Sequence, residues 1–148
     1  MKYLSQRDKR WSSLQLGKSN VTVGSHGCVI TSIAMFSDWY GEYKDPGTLS
    51  KSLTFTSTGL LFWSSIGKVF KTITFKWRFY SHDKKLITTA LSSKNDTVLL
   101  NVDRNKHWVA ALYHVPFVGY MAADPWTGYR RLYKYSEVGG GALLTKKI

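Results

Sequence analysis

"GSHGCVITSIAM", residues 24–35, joins a glycine-bearing turn to an apolar run, with the chain's single cysteine at the junction. Val29, Ile33, Phe36 and Tyr40 recur at three- and four-residue spacing, the period of one helical face. Gly41 follows where a helix-terminating glycine belongs. The spacing predicts a helix over about 28–40, with Cys28 in its first turn. Such a turn carries N–H groups without intrahelical partners and a partial positive charge. Both favour a thiolate over a thiol, and the same N–H groups can hold an oxyanion forming beside the sulfur. Gly27 would let the chain turn tightly and let a substrate backbone approach. A free cysteine is also commonly a small buried hydrophobe, so the rest of the chain has to decide between the two.

Before this helix, residues 1–27 read as an irregular arm, with "LGKSNVTVGSHG" as turn chemistry. After it, "DPGTLSKSL" (45–53) predicts a short helix with Pro46 near its start. "STGLLFWSSIGKVF" (57–70) predicts another, capped by Ser57 or Thr58. "TITFKWRFY" (72–80) changes period. Ile73, Phe75, Trp77 and Phe79 alternate with Thr74, Lys76, Arg78 and Tyr80, the pattern of a half-buried strand. "DKKLITTALSS" (83–93) returns to helical spacing. Then come four strand candidates, "DTVLLNVD", "HWVAALYHV", "FVGYMAAD" and "YRRLYKY", with "GGGALLTKKI" adding an edge strand at the end. Helices in the first half and antiparallel strands in the second predict an α+β fold. Its N-terminal helices would pack on a C-terminal, mostly antiparallel sheet, in a single domain over residues 1–148.

Composition narrows the function classes. The chain of 148 residues is 43% hydrophobic and 20% charged, which is globular rather than disordered. One cysteine excludes an internal disulfide. The start "MKYLSQRDKRW" has no apolar core of a signal peptide, and no stretch approaches the ~20 apolar residues that span a bilayer. The expectation is synthesis in the cytoplasm without a membrane span. A net charge of +12 favours encounter with polyanions, whether nucleic acid, anionic lipid or an anionic cell-wall polymer. No C-x-x-C, H-E-x-x-H or acidic cluster suggests a metal, and no cofactor motif is present.

A thiolate nucleophile needs a base, and the base needs an orienting group. Of the four histidines, His107 heads "HWVAALYHV", a central strand by its apolar content, just after the turn "DRNK". Asp124 opens "DPWTG" at the far end of the next strand. In an antiparallel pair the start of one strand lies beside the end of the next, so His107 and Asp124 are predicted neighbours. His114, at the other end of its strand, is expected to face solvent or cap a turn. His82 is expected in an exposed loop. His26 is too close to Cys28 along the backbone to serve as its base but can line the pocket.

Taken in order, "YLSQRDKRW", "GSHGCVITSIAM", "HWVAA" and "DPWTG" resemble the papain-like cysteine peptidases related to the bacteriocin double-glycine leader peptidases, over nearly the whole chain. The resemblance implies a papain-like fold with Cys28 as nucleophile, His107 as base and Asp124 as orienting group. It further implies that the Gln6 amide joins the Cys28 backbone N–H as oxyanion donor. Here Gln6 lies far before Cys28, as in the free-standing bacterial and phage relatives. In the leader peptidases the glutamine is only a few residues away. Gln15 is the other candidate for that role. His26, Gly27, Trp108 and Trp126 are the expected substrate-binding residues.

A small, very basic hydrolase fits a lytic enzyme of phage type, and the expected substrate is the peptide part of bacterial peptidoglycan, with an anionic wall polymer as a partner. A peptidase that processes protein is the alternative. From a different class comes a non-catalytic basic module on the same fold. "ITFKWRFY" would put Lys76 and Arg78 on an outward face, and "YRRLYKY" interleaves tyrosines with Arg130, Arg131 and Lys134, a pattern suited to single strands of nucleic acid. Binding alone would leave the cysteine, histidine and aspartate unexplained, so nucleic acid is not the expected partner.

Overall fold

The apolar run from Cys28 does form a helix. In a computed structural model describing residues 1–148, helix α2 runs Cys28–Trp39, and Gly41 follows in the left-handed conformation at φ +82°. A separate turn of helix, α1 (Val23–His26), precedes it, capped by the Thr22 hydroxyl on the Ser25 N–H. The N-terminal arm is therefore not irregular throughout, nor is it peripheral. Leu4, Gln6, Trp11 and Leu16 are all buried, and the Trp11 indole donates to the Ser5 carbonyl at 2.8 Å.

Helix α3 (Pro46–Ser52) begins as predicted, with Asp45 accepting from Thr48 N–H and proline at the start. The helix expected from Ser57 does not form. Phe55 and Leu61 pair instead as an antiparallel bridge around the turn 56–59, followed by a 3-10 turn at Trp63–Ser65 and a single turn of helix, α4 (Ile66–Val69). Gly59, at φ +90°, closes that turn. Serine and threonine beside glycine cap helices and make turns equally well, so the local signal did not separate the two.

Strands β1 (Ile73–Phe79), β2 (Asp96–Val102), β3 (His107–Val115), β4 (Gly119–Asp124), β5 (Tyr129–Lys134) and β6 (Gly140–Lys146) form one antiparallel sheet in the order β1-β6-β2-β3-β4-β5. The α+β expectation holds. The C-terminal strand, however, is not an edge. It inserts between β1 and β2, where its central residues Gly141–Leu144 are buried.

Both faces of the sheet are covered, because alternate residues of a strand point to opposite sides. Leu99, Ala110, Ala123 and Leu144 join α2 residues Ile30, Ile33, Ala34 and Met35 in one core. Val98, Leu100, Val109, Ala111 and Leu143 join Ile87 and Ala90 of helix α5 (Lys84–Ser92) in the other. Helices thus lie on both sides of the sheet. A bulge between Phe75 and Trp77 breaks the alternation of β1. Trp77 becomes 58% exposed, and Arg78 turns onto the α2 side rather than outward. There its guanidinium stacks 4.8 Å from the Trp108 ring and donates to the Gly141 carbonyl. Lys76 does face outward and pairs with Asp96 at 2.8 Å. No helix is long and apolar enough to cross a membrane.

Candidate active site

At one end of the sheet lies a cleft of about 590 Å³. The N-terminus of α2 brings Cys28 into it, the start of β3 brings His107, and the end of β4 brings Asp124. Sheet geometry explains the second and third. The turn between β3 and β4 is at the far end of the hairpin, so the beginning of one strand and the end of the other lie together. His107 Nε2 and Asp124 Oδ1 are 2.6 Å apart. The same oxygen accepts the Trp126 N–H at 2.9 Å, which fixes the carboxylate from its own loop.

The electrostatics follow from burial and charge. Burial alone would pull the His107 pKa down. The hydrogen bond to Asp124 and the contact with Cys28 outweigh it, and the imidazole is raised from 6.5 to about 9. Burial pushes the other way on Asp124, but the His107 and Trp126 hydrogen bonds hold its carboxyl below the ordinary range. With Nε2 engaged by the carboxylate, Nδ1 is the ring nitrogen left for the sulfur. Cys28 is half-buried and free. Gly27 gives α2 no side-chain cap, so the first-turn N–H groups beside the sulfur lack a side-chain acceptor.

Gln6 is 2% exposed and also borders the cleft. Its Nε2 donates to the carbonyls of Gly24 at 3.1 Å and Val23 at 3.5 Å, and its backbone N–H to Pro125 at 2.7 Å. Gln6 therefore fastens the turn before Cys28 to the residue after Asp124. Gln15 is exposed and lies outside the cleft.

His26, Trp108 and Trp126 line the cleft as expected. Trp108 leans on Trp63 with ring centres 5.5 Å apart, and Trp126 lies under the Arg7 guanidinium at 4.5 Å. Gly27 does not line it. A Cβ there would sit 2.4 Å from the Val23 carbonyl oxygen, so glycine is required because α1 and α2 touch, not for access of a substrate. The two remaining histidines are also placed differently from expectation. Both are half-buried, with His82 Nε2 against the Tyr120 hydroxyl at 2.7 Å and His114 Nε2 against that of Tyr135 at 2.6 Å.

Sequence reasoning missed two walls of the cleft. Phe55, Leu60 and Leu61 form an apolar side, contributed by the bridge and turn at 55–61. Arg131, Tyr133 and Glu137 form a polar side behind Asp124. Arg131 and Tyr133 alternate with Arg130 and Leu132 on β5, and that alternation was the available signal that the first pair shares a face. Comparison with family models, with curated proteins and with solved structures returned no match.

Proposed function

We propose that this protein is a papain-like, cysteine-dependent hydrolase of amide bonds, acting on the peptide part of bacterial peptidoglycan. One observation carries the reading: a cysteine at an uncapped helix start and a histidine bonded to an aspartate meet in a single cleft. Nucleophile, base and orienting group are the parts that acyl transfer requires.

In this reading the protonated His107 pairs with the Cys28 thiolate, which attacks the substrate carbonyl carbon. The oxyanion is taken by N–H groups at the start of α2. His107 gives its proton to the leaving amine as the C–N bond breaks, leaving a thioester on Cys28. It then takes a proton from water, whose oxygen attacks the thioester, and the acid departs as the sulfur is released. Asp124 holds the imidazole in one orientation through both halves. Gln6, whose amide protons are taken up by Val23 and Gly24, contributes by holding the Cys28 turn. The wall substrate is supported by the charge of +12, since anionic wall polymers would retain such a protein.

Exposed Arg130, Arg131 and Lys134 on edge strand β5, with Tyr129 75% exposed beside them, favour a second reading as a basic surface-binding module. The test is incubation of wild type and Cys28→Ala with purified bacterial cell walls, followed by identification of new amine ends. Release by wild type alone supports the hydrolase on walls. Cleavage of protein substrates but not walls moves the substrate to protein processing. Equal binding by both forms without release supports the surface module.

A further inference from the structure

Asp124 directs one carboxylate oxygen at both of its hydrogen-bond partners. Oδ1 accepts from His107 and from the Trp126 N–H, and no protein donor reaches Oδ2. Nearby, the Tyr133 hydroxyl is buried without a hydrogen-bond partner, in a residue 1% exposed that borders the same cleft. Residues two apart on a strand share a face. Ala122 pairs with Arg131, and Tyr120 with Tyr133, so Asp124, Arg131 and Tyr133 lie on one side of the β4–β5 ribbon. The Arg131 guanidinium covers the Tyr133 ring at 4.7 Å and is held from behind by Glu137 at 3.4 Å. A buried donor without a partner thus shares a strand face and a cleft with a carboxylate oxygen that no protein donor reaches.

We propose that Tyr133 is a positioning residue that acts through Asp124: its hydroxyl serves the carboxylate oxygen that His107 leaves free, and with Arg131 it draws the Asp124 charge away from the imidazole. Tyr133 is suited to the task. Burial first, and then the facing Asp124 charge, push its own pKa up, so it remains a proton donor across the working range. Arg131 acts in the same sense, since its charge favours the ionised Asp124. The other titratable group against His107 is Cys28, arriving from α2. The consequence is chemical. An unopposed Asp124 would stabilise the imidazolium further, whereas a tempered one lets Nδ1 release its proton to a leaving amine more readily. This role rests on the hydrolase reading.

The experiment is an NMR titration of the His107 ring in the full chain, which requires no turnover and so reports separately from any failure to cleave walls. In wild type the midpoint is expected at about 9. In Tyr133→Phe, which removes one oxygen, it moves up by roughly half a pH unit, since the imidazolium gains interaction with the carboxylate. Arg131→Gln, at an exposed position, moves it the same way and carries the test should Tyr133→Phe fold poorly. In an Asp124→Asn background, Tyr133→Phe leaves the midpoint in place. If the tyrosine merely fills space, phenylalanine fills it equally and the midpoint stays where it is. A fall, no change, or a shift that persists without the carboxylate overturns the proposal.

Discussion

Cys28 and His107 are the residues on which chemistry can be read most directly. Iodoacetamide should alkylate Cys28 at pH 6 far faster than a free thiol, and His107→Ala should slow the reaction. Loss of that preference would remove the nucleophile from the proposed function. The Asp124 charge sets the pH window. With His107 at about 9, hydrolysis should decline as pH rises through 9, where the proton for the leaving amine is lost. Asp124→Asn lowers the His107 pKa, so the decline should begin at lower pH, with the rate falling by roughly 10²–10⁴-fold. The same shift is linked to stability. His107 is raised from 6.5, so its contribution is complete below about 6.5 and fades as pH climbs to 9. Asp124 is held low, so its contribution is present above the ordinary carboxylate range and fades in acid. Urea midpoints at pH 6 and pH 9.5 should differ in wild type, and the difference should shrink in His107→Gln.

At the scale of elements, the junction of α1 and α2 constrains the site closely. Gly27 lies against Val23, so Gly27→Ala must push the two helices apart. Overpacking of this kind costs about 1–3 kcal/mol, measurable as a lowered urea midpoint. Because the displaced residue is next to Cys28, alkylation should slow even in the fraction that stays folded. An alanine variant with wild-type stability and reactivity would show that the contact yields easily. The arm behaves as a third element. Trp11 is 3% exposed within the α2 core, and Trp11→Ala should cost about 3–5 kcal/mol. A loss near zero would mean that the arm is dispensable, against its hydrogen bonds to Gly24 and Pro125.

Over the whole molecule, charge and architecture act separately. The charge of +12 is a property of the surface, and its attraction to polyanions is screened by salt within about 10 Å at 0.1 M. Retention on cell walls should therefore fall steeply as salt is raised, while alkylation of Cys28, shielded in its cleft, should change little. Parallel losses of both would mean that salt disturbs the site itself. Architecture places the site at an end of the sheet, where the start of β3, the end of β4 and the α2 N-terminus converge.

Much of this was legible in the residues. The α2 period, the proline and aspartate at the start of α3, and the pairing of His107 with Asp124 all follow from local spacing and strand geometry, which a linear pattern records. The hairpin around 56–59, the internal position of β6 and the bulge in β1 were not legible. The turn at 56–59 was hidden by serine and threonine that suit a turn or a helix cap alike, whereas the other two depend on which distant segment lies alongside: β6 finds a gap between β1 and β2, and Arg78 finds Trp108. Sequence thus determined that a helix begins at Cys28 and that His107 and Asp124 are neighbours, because periodicity and hairpin geometry are short-range. Tertiary structure alone decided that Gly27 is there for packing, that Gln6 ties the arm to the site, and that Tyr133 stands behind Asp124. Gln6 meets partners far along the chain, and even the nearer contacts depend on how whole elements pack, which no periodic pattern records.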